Sequence, residues 1–380
     1  MKLHLRDFNV YVSFIEIIYI NIIASVFSSR FNLVQGPKMK FPSSYGYFQF
    51  LIYLTAFVLP SYGQYWTYIP GLNYLFKDYE LCNDEWIPGN LSDFKLNFRT
   101  YVFAQPLLEQ VIVPAVTGHL NGRTKKALTL SFHGWAGGGK NYVTQFLVKA
   151  IYKLGMKSSF VKYYNSRTDF TDDSNIRRYQ AQLRDEIKEY LSRCERSFFI
   201  FDEMDMMPEK VIDAIHPYLD YHEIVNGVDP RKATFVFLSN TGGNEISQIV
   251  LDHWKKGYQR DDLKIGMFQD AIRQAAFNEL GGHRHSDNIN SHLITYFIPF
   301  LPMERSHVMQ CIEGQFALNN IFQSRKAIID EVLSQISFTS KQSVSAGIFA
   351  LSGCKNVDTL VSSVAENEHI IRSQHRNSEL

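Results

Sequence analysis

Three short stretches place phosphate chemistry at the ends of apolar runs. Residues 134–141 read GWAGGGKN. A glycine run closed by a lysine lets backbone N–H groups cradle phosphates at a helix N-terminus, where the helix dipole favours negative charge. The candidate nucleotide-binding residues are Gly134, Trp135, Ala136, Gly137, Gly138, Gly139, Lys140 and Asn141, with Lys140 paired to the β and γ oxygens of ATP. The last position is unusual, because the P-loop pattern ends in a Ser or Thr hydroxyl that holds Mg²⁺. Here an amide stands in its place.

Residues 198–205 read FFIFDEMD, an apolar strand that ejects an acidic pair. Asp202 is expected to hold Mg²⁺ through water, with Asn141 a further candidate ligand, and Glu203 to orient and deprotonate the attacking water. Asp205 reads as a local cap or salt-bridge residue. Residues 235–240, FVFLSN, are another apolar run, ending in Asn240, which would position that water. An acidic pair after a strand is as often a helix cap, and a Ser-Asn turn alone is unremarkable. Three strand-end motifs in this order are hard to obtain by accident.

The elements that must position them alternate. Strand-like runs at 127–133, 158–164, 197–202 and 233–240 are separated by helical spacing at 140–153, 175–193 and 208–221. Such alternation predicts a largely parallel sheet covered on both faces. Further helices are expected at 303–320 and 324–335. The whole reads as an α/β P-loop domain at 64–298, a small helical domain at 299–380 and an apolar N-terminal region at 1–63.

The chain has 380 residues, 45% of them hydrophobic, enough for two domains and a sizeable core. Its formal net charge of +1 gives no electrostatic argument for a nucleic-acid partner. At the N-terminus, residues 8–27 are apolar but carry Glu16, which costs roughly 3 kcal/mol at a bilayer centre. A shorter run, 47–60, follows Met39-Lys40 and precedes Ser61-Tyr62-Gly63. It has the form of a secretory signal with a second start at Met39; the alternative is a buried helix. Asn90-Leu91-Ser92 is a glycosylation sequon in a turn-like context, with Asn90 the acceptor. His283-Arg284-His285, in a Gly-rich polar stretch, reads as surface loop because no third metal ligand sits at suitable spacing.

Together GWAGGGKN, FFIFDEMD, FLSNTGG, YFIPFLPME (296–304) and GCKN (353–356) resemble the torsins, AAA+ ATPases of the endoplasmic reticulum and nuclear envelope lumen. The similarity runs from about Glu80 to Val357. In this light Asn141 is a family trait, while Ala136 and Gly138 depart from the usual threonines. The resemblance implies a P-loop AAA+ fold with a small C-terminal helical domain, ATP and Mg²⁺ as ligands, and Lys355 reaching the γ-phosphate. It implies a Cys311–Cys354 disulfide, with Cys82 and Cys194 expected as a second pair. It also implies a membrane-anchored lumenal activator that supplies an arginine finger, since the run corresponding to a finger segment, 292–295, is His-Leu-Ile-Thr. Peripheral membrane association is expected, homo- or hetero-oligomerisation is left open, and the protein clients are unidentified. Two other functions compete. A self-sufficient AAA+ unfoldase would need a finger and an aromatic pore loop, for which 165–174 offers Phe170. An ATP-controlled assembly module would bind nucleotide with negligible hydrolysis.

Overall fold

A computed structural model describes residues 80–378 apart from 123–124, 280, 287–292, 320, 322–324 and 340–346, with side chains through residue 367. The apolar N-terminal runs, the second start at Met39 and the cleavage site at 61–63 lie outside the described residues.

Two helices, α1 (Leu91–Tyr101) and α2 (Pro106–Leu120), precede the sheet. Strand β1 (Leu128–His133) feeds the glycine loop and α3 (Lys140–Ile151). Then come β2 (Val161–Asn165), the single turn α4 (Ser166–Asp169), α5 (Ile176–Arg193) and β3 (Phe198–Asp202). A four-residue α6 (His216–Leu219) leads to β4 (Thr234–Ser239), α7 (Gly243–Lys255), α8 (Gln269–Asn278) and β5 (Tyr296–Pro299).

All strands are parallel in the order β2-β3-β4-β1-β5. This is the P-loop AAA+ α/β sheet that the torsin resemblance implies. Every residue of β1, β3 and β4 is buried, as expected of strands covered on both faces. Alternation sorts them: Phe199, Phe201, Phe235 and Phe237 join the core under α5, α7 and α8. Phe198, Ile200, Val236, Leu238 and Phe132 join the one under α1, α2 and α3. The register sets His133 opposite Ser239, Phe201 opposite Phe237 and Asn165 opposite Asp202. Gly134, Glu203 and Asn240 therefore leave one sheet edge side by side.

A third core gathers α9 (Arg305–Leu318), α10 (Arg325–Ser334) and the start of α11 (Val357–Ser378) around Val308, Ile312, Val332 and Val361. Cys311–Cys354 bonds α9 to the loop before α11, and Cys82–Cys194 bonds the N-terminal segment to the end of α5.

Two expectations need correction. The helix expected at 208–221 is not continuous: a 3₁₀ turn at Ile212–Ile215 precedes α6. Lys210 adopts a φ of 67°, incompatible with a right-handed helix, and Pro217 supplies no N–H, fitting only the first turn of α6. His283 is no surface residue. Gly281 lies so close to the Met204–Asp205 backbone that no side chain would fit, Gly282 packs against the Met204 and Met207 side chains, and together they carry His283 into the core. It packs edge-on against Phe237, with its ring centre 6.3 Å from that of His133.

Both rings resist protonation, chiefly through burial. His283 is pushed down to about 4 and His133 to about 3, the latter also by the neighbouring ring. The unfolded chain takes up these protons near pH 6.5 and the folded chain does not, so stability falls as pH drops from about 6.5 toward 4. At pH 5 the loss is roughly 2 kcal/mol per histidine. Thermal unfolding should show a lower midpoint at pH 5 than at pH 7.5, and His283→Phe should flatten the slope; identical slopes would contradict the assignment.

Candidate functional site

Lys140 opens α3, immediately after Gly139, which adopts a φ of 99° as the helix cap. Gly137 also lies in the left-handed region, at 78°, and a side chain there would run into the Ser352 carbonyl. The glycine loop and the loop before α11 are thus in backbone contact, joined by Cys354 N–H donating to Gly137 O at 3.2 Å. Gln105 pins the same region, pairing with Leu301 N and O at 2.9 Å each.

The Lys140 ammonium donates to Gly134 O (2.6 Å), Trp135 O (3.1 Å) and Asn240 Oδ1 (2.9 Å). Burial lowers its pKa to about 8; Asp205 and Asp202 oppose that shift, while the charge of Lys355 adds to it. An approaching anion relieves that cost, so the amine is poised for phosphate.

Asp202 is buried at the end of β3. Its Oδ2 accepts from Asn141 Nδ2 (2.8 Å) and from the Tyr163 hydroxyl (2.5 Å), and its Oδ1 from Glu203 N–H (2.8 Å). With Nδ2 of Asn141 committed to Asp202, its Oδ1 is the atom left for a cation. A carboxylate and an amide oxygen are hard donors that suit Mg²⁺. Glu203 has a φ of 54°, a conformation costly for a non-glycine residue and concentrated at functional sites.

Asp205 does more than cap locally. It accepts from the backbone N–H and from Nδ2 of Asn240, both at 3.1 Å. The amide of Asn240 is thereby oriented with Oδ1 facing Lys140. Sequence reasoning missed Asp205 and Tyr163 as parts of this site. The signal for Tyr163 was its outward position on edge strand β2, two residues before the strand end.

Lys140, Asn141, Asp202, Glu203 and Asn240 line one cavity of about 450 Å³, within the range of small-molecule sites. Its walls include residues 136–142, Asp202, Glu203 and Asn240 from the sheet edge, Tyr101–Phe103 from the end of α1, and Cys311, Leu318 and Lys355 from the helical unit. Every candidate from the three motifs is here except Gly134 and Trp135, which face Lys140 through their carbonyls. Among the described residues lining it there is no arginine. Leu293–Thr295, in the run compared with a finger segment, is tied to β1 instead: Leu293 O accepts from Thr129 Oγ1 at 2.7 Å. His292 lies outside the described residues. Phe170 is 2% exposed and packs edge-on against Tyr179, so it does not project as a pore aromatic.

A family profile described as Torsin matches residues 75–201. A "Torsin-like protein" of Caenorhabditis elegans is 35% identical over 306 residues, 80% of this chain and 85% of that protein. Another from Drosophila melanogaster is 36% identical over 292 residues, 74% and 84% of the two chains. A solved structure titled "Closed State CryoEM Reconstruction of Hsp104:ATPyS and FITC casein" aligns with a TM-score of 0.46 at 12% identity, covering 76% of this chain and 48% of that one.

Proposed function

The chain belongs to the torsin family of AAA+ ATPases, and from that premise we propose that it binds ATP with Mg²⁺, hydrolyses it slowly alone, and is activated by an arginine-bearing lumenal partner. The observation that supports the ATPase part of this reading is a single cavity lined by Lys140, Asp202, Glu203, Asn240 and Lys355.

Each group has a role. Lys140 exchanges its carbonyl contacts for phosphate oxygens. Asp202 and Asn141 would hold Mg²⁺, which would supply positive charge against the triphosphate. Glu203 accepts the proton of the attacking water, and Asn240, fixed by Asp205, orients that water. Lys355 approaches the γ-phosphate from the helical unit. Two disulfides suit an oxidising compartment, which supports residence in the lumen of the endoplasmic reticulum and nuclear envelope. Asn90 is exposed and caps α1 through Oδ1, which accepts from Ser92 N–H. Its Nδ2 could carry a glycan without loss of the cap. Remodelling of proteins or membranes there, with peripheral attachment, completes the proposal.

The test is a trap. Glu203→Gln purified in ATP should retain ATP and hold a membrane-anchored partner, while Lys140→Ala retains neither. A Glu203→Gln protein that carries no nucleotide under these conditions would refute the reading.

A further inference from the structure

The Asp202 carboxylate takes a hydrogen bond from outside the three motifs. Tyr163 stands on the edge strand β2, one pleat behind that carboxylate: the register sets Tyr163 opposite Ile200 and Asn165 opposite Asp202. Val161, Phe198 and Ile200 join the core under α3, while Tyr164 and Phe201 join the core on the other face. Side chains alternate along a strand, so Tyr163 and Asp202 share the face on which α3 lies. From there the ring spans the diagonal, and its hydroxyl reaches Asp202 Oδ2 at 2.5 Å. An ionised carboxylate only accepts, so the hydroxyl donates.

That bond completes a three-point hold. Asn141 Nδ2 reaches the same Oδ2 at 2.8 Å from the start of α3, and Glu203 N–H holds Oδ1 at 2.8 Å. With donors on both oxygens, the carboxylate cannot turn about its own axis without losing one. Tyr163 is 41% exposed and does not line the cavity, whereas Asp202 and Asn141 do. Its hydroxyl therefore acts on the site through Asp202.

We propose that Tyr163 is a positioning residue for the Mg²⁺ site, keeping the Asp202 carboxylate in the orientation from which it and Asn141 can hold the cation against the triphosphate. This rests on the ATPase reading, with Asp202 and Asn141 as the groups that hold Mg²⁺. Partners that orient a metal-holding group commonly contribute roughly 10–100-fold in metal affinity. Two other bonds to Asp202 preserve part of its alignment, so the lower end, about ten-fold, is expected here.

The experiment measures ATP affinity of the full chain by calorimetric titration, once in excess Mg²⁺ and once in EDTA. The ratio of the two affinities reads how strongly cation and nucleotide support each other. Tyr163→Phe, which keeps the ring and drops the hydroxyl, should leave affinity in EDTA unchanged and lower that ratio about ten-fold. Asp202→Asn should lower the ratio by itself, and Tyr163→Phe added to it should change nothing further. A ring that only packs would leave the ratio alone, and a general loss of structure would weaken binding in EDTA as well. An unchanged or raised ratio in Tyr163→Phe, or a further fall in the Asp202→Asn background, would overturn the inference while leaving the ATPase reading intact. A wild-type chain that binds no ATP, or binds it equally with and without Mg²⁺, would remove the reading on which the inference rests.

Discussion

A lumenal domain presenting an arginine to the nucleotide cavity is expected to raise steady-state ATP turnover by at least about 10³-fold. The reason lies in the charges on hand. Lys140 and Lys355 are the cations that line the cavity among the described residues. Two lysines suit the ground-state triphosphate, but the transition state spreads charge over the equatorial oxygens, where a guanidinium in other NTPases contributes roughly 10³–10⁵ in rate. Arg167 cannot substitute, because it faces Glu203 from outside the cavity. Replacing the partner's arginine with alanine should abolish the stimulation, and so should Glu203→Gln in this chain. Turnover on the order of 10 s⁻¹ by the chain alone, an ordinary enzymatic rate, would show that no partner is needed.

Lys140→Ala should weaken ATP binding by about 10²–10³-fold. The ammonium would make two charge-assisted contacts to phosphate, each worth roughly 1.5–3 kcal/mol. Part of the total is offset by giving up its bonds to Gly134 O, Trp135 O and Asn240 Oδ1. Lys140→Met, which keeps the apolar stem, should lose affinity equally, separating loss of charge from loss of packing. Lys355→Ala should cost less, about ten-fold, because that residue lies in a loop of the helical unit and not at the start of α3. Calorimetric titration checks the order; equal affinities for wild type and Lys140→Ala would remove the phosphate-binding role.

Much of the sheet was legible because its strands are strongly apolar and end in polar groups. Buried parallel strands place Asp202 and Asn240 at strand ends, and the strand pairings set those ends beside the glycine loop. The pairing of Cys311 with Cys354 came only through resemblance. What the sequence concealed is what depends on tertiary contact. Gly281-Gly282 read as loop punctuation, yet those glycines permit close packing on Met204 and Asp205 and bury His283. The apolar spacing of 208–221 suggested a helix, but Lys210 and Pro217 break it. In sequence Asp205 reads as a local cap or salt-bridge residue because its partner, Asn240, lies past the end of another strand. Arg167 sits in the polar stretch NSRTD, which gives no sign that it reaches Glu203.

The most direct test of convergence on one triphosphate is hydrogen exchange of the full chain with and without Mg·ATP. Protection should appear together in peptides covering 134–142, 202–205 and 352–356, and be absent from all three in Lys140→Ala. Protection confined to the glycine loop, with 352–356 unchanged, would contradict it.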